Sequence, residues 1–432
     1  MKNQSSRPLP RHHQLLALLA LLPFMLPAGA AATTDDIQAR FDSALQAIDN
    51  DHLLTARQTL QDLLADSPSL NRARLELARV HYLTEDFPRA RAEAQRVLDD
   101  PTTPPQVRAT VLAFLAQIDA DEKRVTQRHQ WRPSIYAGLM YDSNVNIGPS
   151  RDIIDIGGTR YTVLPGSQET DDFAWVVNPA LSHIYNPNRH FQSGEHTGSF
   201  IWQTDASAYY RGYFDEHDFN LGVLTLRTGP AWIVPRHWRA TVGLQADQIW
   251  LGDDSLALFT SLYPGIVWQL GEDWEIGLDA GLTHRNYDDH ADSGRDGWDK
   301  KANVSATRYF DGRRWALQGG VGYHDFDADE DRFGYQGPEV YLGAIAQAWD
   351  GGMVYGRIGY TLYDFDGTEP LFNTGRDDDE WRYTLGFQHD FREGLLGGWA
   401  LQGSWIYTDN RSDVDIYQYD RNVVSLGLAR SF

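Results

Sequence analysis

The chain has no cysteine in 432 residues, so it carries neither a disulfide framework nor a thiolate metal site. Basic residues are scarce: 38 Lys and Arg stand against 60 Asp and Glu, a formal net charge of −22. That balance lacks the basic footprint of a nucleic-acid-binding protein. Long hydrophobic runs are missing too. The apolar stretch from Leu15 to Leu26 falls short of the ~20 residues a spanning helix needs, and no later segment comes closer. If such a chain enters a membrane, it does so as a closed barrel.

What stands at the N-terminus has the layout of an export leader. Lys2, Arg7 and Arg11 precede the apolar run, Pro23 breaks it, and Ala28-Gly29-Ala30 offers the small residues a signal peptidase needs. Residues 1–32 are therefore expected to be a cleaved signal peptide. No cysteine follows the run, so the mature chain is not expected to be lipidated. The charge is uneven: residues 1–32 give about +3, residues 33–130 about −4 and residues 131–432 about −21, which sums to the total of −22.

Residues 33–130 read as a helical domain, with apolar residues recurring at three and four. Ala44 and Ala56 lie twelve apart, as do Ala78 and Ala90, and the two pairs are offset by 34 residues, the tetratricopeptide period. Small residues at that spacing let antiparallel helices approach closely. Pro68 and Pro101 close the two units, and Leu45, Leu60, Leu63, Leu75, Leu77, Val97 and Leu98 supply apolar faces. A third helix, about Gln106 to Asp121, is expected to cap the stack after Pro104-Pro105. Arg72, Arg74, Arg79, Arg89, Arg91 and Arg96 make the second repeat locally basic, which reads as a solvated face or as a dock for an acidic partner.

From Ser134 to Phe432 the period changes to two. Trp238, Ala240, Val242, Leu244 and Ala246 alternate with Arg239, Thr241, Gly243, Gln245 and Asp247. The same alternation marks Trp274–Thr283, Arg314–His324 and the closing stretch, where Val424, Leu426, Leu428 and Phe432 oppose Ser425, Gly427, Ala429 and Ser431. One such strand also suits a soluble sandwich. The decision comes from about fourteen segments, an even number, with Trp238, Trp250, Trp274, Trp315, Trp349, Trp381 and Trp399 near their ends. Short turns at Pro235-Arg236-His237, Gly271-Glu272-Asp273, Asp311-Gly312-Arg313 and Asp350-Gly351-Gly352 alternate with longer acidic loops around Asn146–Asp171, Asp288–Gly297, Asp325–Gly334, Asp364–Asp379 and Asp409–Tyr417. This asymmetry predicts an all-β transmembrane barrel over 131–432, in the outer membrane, with short turns and the N-terminal domain on the periplasmic side. The bilayer and lipopolysaccharide are then its surroundings. The last strand must pair with the first, near Ser134–Asn144, and Arg430 near the end is expected at the headgroups.

Motifs for chemistry are weak. Asp325-x-Asp327-x-Asp329-Glu330-Asp331 starts like a calcium loop, but Glu330 stands where glycine is needed and Gln336 where glutamate is needed. Asp377-Asp378-Asp379-Glu380 is a similar acidic run. His183, His196, His284 and His324 fall on different predicted strands, and no local motif supports a Ser–His enzyme. Gly319-Gly320-x-Gly322 lies mid-strand and is not a phosphate loop. The sequence names no catalytic, cofactor-binding or metal residue, and an enzyme is not expected.

At the junction between helices and barrel stands Trp131-Arg132-Pro133-Ser134-Ile135-Tyr136-Ala137-Gly138-Leu139-Met140-Tyr141-Asp142-Ser143-Asn144-Val145-Asn146. Upstream stand Ala73-Arg74-Leu75-Glu76-Leu77-Ala78-Arg79, Asp86 and Ala90-Arg91-Ala92-Glu93. In this order, before a barrel ending in Phe432, these stretches resemble the surface lipoprotein assembly modulator (Slam) family. The resemblance implies an outer-membrane translocator that moves a client protein, a surface lipoprotein or a secreted haem-binding protein, from periplasm to exterior. It implies a repeat domain that engages the client, with periplasmic chaperones and the barrel-assembly machinery as further partners. The chain departs from better-known members in its short helical domain. A polysaccharide export porin, which also joins such repeats to a barrel, is the alternative. Read from the residues alone, Asp142, Ser143, Asn144 and Asn146 end the first strand by bonding their own backbone, or take part in gating.

Overall fold

The computed structural model describes residues 31–432 except 126, 157 and 253. The expected signal peptide lies almost wholly on residues 1–30, outside the described residues. The chain divides into two compact units, residues 1–128 with 188–199, and residues 129–187 with 200–432.

Among the described residues the first unit contains five helices: α1 (Ala31–Asp49), α2 (Leu53–Asp66), α3 (Asn71–Leu83), α4 (Phe87–Asp99) and α5 (Pro105–Val125). Ala44, Ala56, Ala78 and Ala90 are all fully buried, so the four small residues read from the spacing sit where helices press together. Phe41, Leu60, Leu63, Leu77 and Val80 fill one core, and Leu75, Phe87, Val97, Val111 and Phe114 fill a second. The Asp86 side chain caps α4 by accepting the Arg89 N–H, with Pro88 in the first turn. Pro105 opens α5, where its missing N–H costs nothing.

The basic face is not free. Arg74 pairs with Glu93 at 2.8 Å, Arg79 with Glu76 at 3.3 Å, Arg89 with Asp86 at 3.1 Å and Arg96 with Glu93 at 2.7 Å. Arg91 joins Asp119 at 2.6 Å and also Glu122, while Arg72 lies 4.8 Å from the centre of the Phe41 ring. Arg89 and Arg96 keep the solvated face expected of them, while Arg74 and Arg91 are tied to acids on the next helix, which a local charge count does not see.

The second unit holds β1 (His129–Asp142), β2 (Ile153–Ile156), β3 (Thr159–Thr162), β4 (Asp172–Ser193), β5 (His196–Tyr213), β6 (Leu221–Val234), β7 (Trp238–Leu251), β8 (Asp254–Leu270), β9 (Trp274–Tyr287), β10 (Gly297–Phe310), β11 (Trp315–Ala328), β12 (Tyr335–Trp349), β13 (Gly352–Glu369), β14 (Thr374–Asp390), β15 (Trp399–Ser412) and β16 (Tyr419–Ser431). The tip of the β4–β5 hairpin, residues 188–199, groups with the first unit. β1 and β4–β16 close into a fourteen-stranded antiparallel barrel, while β2 and β3 form a small hairpin in the first loop. Closure leaves no edge, which is what allows a sheet to stand in lipid.

The outer face is apolar. Leu139, Val321, Leu342 and Leu426 are 59, 58, 62 and 52% exposed, an arrangement costly in water and natural against acyl chains. A 14-residue strand such as β7 is ~46 Å long at ~3.3 Å per residue, enough to cross a ~25 Å apolar band even tilted by ~45°. This is an outer-membrane-type barrel. Trp238, Trp274, Trp315 and Trp399 open their strands and Trp349 closes β12, all at the short-turn end. Trp175, Trp250, Trp298 and Trp381 mark the opposite rim. Trp381 stands mid-strand, contrary to expectation, because β13 and β14 continue beyond that rim to Glu369 and from Thr374. Most of the loop expected at Asp364–Asp379 is therefore strand, paired from Asp364↔Asp377 inwards, and β11 likewise absorbs Asp325 to Ala328. The first strand begins at His129, five residues before the expected Ser134.

His81 supplies a test of the helical unit. Its side chain is 2% exposed, and burial holds its pKa below the ordinary histidine value although the Asp86 carboxylate lies 3.4 Å away. A lowered folded-state pKa gives stability that is complete above the unfolded value and lost as pH falls through the folded one. Thermal melting of the full chain, followed by the helical circular-dichroism signal, should weaken from pH 7 to pH 5. His81→Gln should flatten that slope whatever it does to the midpoint at pH 7.

Candidate functional site

The barrel closes where β1 meets β16, in a register running from Ser134↔Ser431 to Asp142↔Val423. The pairing of first and last strands expected from the sequence is present. Nine positions pair across this seam, against fourteen between β1 and β4 on the other side of the same strand. Residues His129 to Pro133 of β1 pair with β4 alone in the register, and the last link is the Phe432 N–H donating to the Pro133 carbonyl at 2.9 Å.

Directly paired residues share a face, so the outward Leu426 and Leu139 leave Tyr136, Gly138, Met140 and Asp142 of β1 facing inward with Ser425 and Gly427 of β16. In mid-seam the Tyr136 ring lies flat across two glycines. A Cβ on Gly138 would come within 2.6 Å of its hydroxyl oxygen, and one on Gly427 within 2.7 Å. Any larger residue at either position would lift the ring from the wall. Ser425 reaches the other way, its hydroxyl 2.7 Å from that of Ser404 on β15. At the turn end the outward Arg430 guanidinium rests 5.5 Å from the Trp399 ring centre and 5.0 Å from that of Phe432.

The loop end is held by side chains. Asp142 is fully buried and accepts from Arg421 Nε at 2.8 Å, with the second carboxylate oxygen bound to Arg421 Nη2. The Tyr213 hydroxyl donates to the same carboxylate at 2.7 Å, and the Asn144 N–H at 3.1 Å. Ser143 and Asn422 exchange two bonds across the seam, the Ser143 N–H to the Asn422 carbonyl at 2.9 Å and the Asn422 N–H to the Ser143 hydroxyl at 2.8 Å. Asn144, also fully buried, donates to the carbonyls of Gly148 and Asp420 at 2.9 and 3.2 Å. Asn146 donates to the Gln168 carbonyl at 2.7 Å and accepts the Thr170 N–H at 3.1 Å, which pins the two ends of the first loop. That loop in turn grips the last one, through Arg151 with Asp415 at 2.8 Å and the Ser150 hydroxyl to Asp420 at 3.1 Å.

The four polar junction residues therefore do more than end β1. They fasten β1 to β16 and pin the ends of the first loop. The sequence reading missed Arg421, Tyr213 and Asp172. Arg421 carried a signal, since it continues the inward parity of Ser425 one residue before the stretch that stood out. Tyr213 and Asp172 carried none. Asp172 accepts the N–H groups of Asp215 and Glu216 at 2.8 and 2.9 Å and so orders the turn after β5.

The other candidate residues stand apart from this site. Within the acidic run of β11 and the loop after it, Asp325 pairs with Lys300 at 3.5 Å and Glu330 with Arg332 at 2.7 Å. Asp378 pairs with Arg376 at 2.6 Å and Glu380 with Arg382 at 2.9 Å. His183, His196, His284 and His324 lie on β4, β5, β9 and β11. His183 sits 3.0 Å from His129, and His324 bonds the Leu362 carbonyl at 3.2 Å. Gly320 on β11 makes room for the Tyr341 ring, 2.5 Å from where its Cβ would be.

The sequence profile of a family described as "Protein of unknown function (DUF2860)" matches residues 274–430, from the start of β9 to β16. No curated protein matches the chain. Solved structures similar in fold include a FadL homologue of Pseudomonas aeruginosa, at 10% identity, 71% of this chain, 90% of that chain and a TM-score of 0.37. OprD of the same organism gives 10%, 71%, 94% and 0.38. A loop-deletion form of OmpT, an outer membrane protein of Vibrio cholerae, gives 8%, 71%, 100% and 0.40.

The seam clamp predicts its own thermodynamics. Breaking a buried ion pair from one side costs about 3–5 kcal/mol. Asp142→Ala and Arg421→Ala should each lower the unfolding midpoint in guanidinium in detergent micelles, and the double variant should lose less than the sum. Strictly additive losses would show that the two side chains act independently.

Proposed function

We propose that this chain is an outer-membrane translocator that moves a client protein from the periplasm to the cell exterior. The seam is the observation that carries the reading. It has nine paired positions, small residues in its middle, and side-chain fastening concentrated at its loop end. Such a wall parts more readily from the turn end than anywhere else along this strand.

The lumen supports the same view. Inward residues toward the loop end are packed: His324, Phe326, Asp378, Asn410 and Thr408 are all buried. A client larger than a small solute then needs the wall to move. The helical unit supplies the receptor in this reading. Its buried alanines and 34-residue offset suit a short tetratricopeptide-like array, and the resemblance to the Slam family points to a surface lipoprotein or a secreted haem-binding protein as client. The chain enters the barrel at the short-turn end of β1, which supports the reading of a periplasmic helical unit.

Deleting Asp35–Arg128 is expected to leave a folded barrel and abolish surface display of a client encoded nearby, measured by protease shaving of intact cells. Unchanged display would reject the helical unit as receptor. The seam has a separate test, made clean by the absence of native cysteine. Met140 and Ser425 face each other across it, and Met140→Cys with Ser425→Cys should form a bridge at the spacing disulfides require. Export should stop when the pair is oxidised and resume on reduction. Full export with the bridge intact would rule out a parting seam.

A further inference from the structure

We propose that the lumen beside the seam holds a binding site for a small hydroxylated organic anion, a sugar acid or sugar phosphate in chemical class. A cavity of about 650 Å³ opens on the inner wall there, between β4–β5 on one side of the seam and β13–β15 on the other. Its charged lining is Arg211, Arg382 and Arg421, and no carboxylate lines it. This is a cationic recess in a chain of net charge −22.

The three arginines are not equivalent. Arg421 is committed to Asp142, and Arg382 to Glu380 at 2.9 Å. Arg211 lies against the Tyr213 ring, 4.9 Å from its centre, and its Nε is buried without a hydrogen-bond partner. On the neighbouring strand β4, lining the same recess, the Asn178 Oδ1 is also buried and unbonded. A buried donor and a buried acceptor left unmade are both costly, and each calls for a partner. A carboxylate or phosphate on the ligand satisfies Arg211, and a ligand hydroxyl satisfies Asn178. The Tyr355 ring lies flat over Gly386, whose Cβ would come within 2.2 Å of it, and offers a face on which a sugar ring stacks. The Gln388 and Gln402 amides, bonded to each other at 3.0 Å, lie on the remaining wall for further hydroxyls.

The proposal concerns the lumen alone and is independent of client transport. The test is calorimetric titration of the detergent-purified full chain with gluconate and with glucose 6-phosphate, using glucose as the neutral control. Both anions should bind, glucose at least about tenfold more weakly, and anion affinity should fall between 50 and 500 mM salt as screening shortens. Arg211→Gln and Arg211→Lys should each weaken anion binding about tenfold, since lysine keeps the charge and loses the Nε donor. Absence of heat with both anions, equal binding of glucose, salt-independent affinity, or unchanged affinity in either folded variant would each overturn the site. The glucose and salt comparisons use the unmodified protein and decide the matter even if both variants fail to fold.

Discussion

A sheet that stands in lipid cannot have an edge, and this barrel depends on one contact to remove it. Every other strand meets neighbours close to it in the sequence; β1 must find β16. The cost of an unpaired N–H or carbonyl in hydrocarbon is several kcal/mol per group, so the nine-residue seam carries a disproportionate share of the structure. Side chains reinforce it where the backbone pairing runs out at the loop end. Asp142 is fully buried in its pair with Arg421, so water does not replace the guanidinium as its partner.

The inner and outer faces solve different problems with the same alternation. Outside, apolar residues meet acyl chains and tryptophans mark both rims. Inside, glycine and large rings are paired across strands, as with Tyr136 over Gly427, Tyr341 over Gly320 and Tyr355 over Gly386. Each pair lays an aromatic flat and keeps the wall dense without filling the lumen centre. Within the Gly319-Gly320-x-Gly322 run it is Gly320 that belongs to this scheme.

Much of this was legible from the residues. Period-two alternation, the tryptophan positions and the four short turns located the barrel because each reports a local fact about the chain. Ala44, Ala56, Ala78 and Ala90 announced the helix contacts for the same reason. The misses share a cause as well. Arg74 and Arg91 read as solvated because Glu93 and Asp119 reach them only through folding. Asp142 read as a strand terminator because its partner lies 279 residues away. The loops at Asp325 and Asp364 read as loops because acidic residues signal turns, although above the membrane rim a strand can carry them in water.

The distance between Asp142 and Arg421 along the chain also bears on how the barrel comes to exist. Contacts so far apart in sequence form late, because the closing loop must first lose its freedom. Until the final strand arrives, Asp142 is a carboxylate in a half-built wall with its counter-charge still unincorporated. Neither edge can be satisfied before that moment, and the ion pair cannot form in part. Completion of the wall therefore waits on β16, whose thirteen residues bring the paired backbone and the Arg421 guanidinium together.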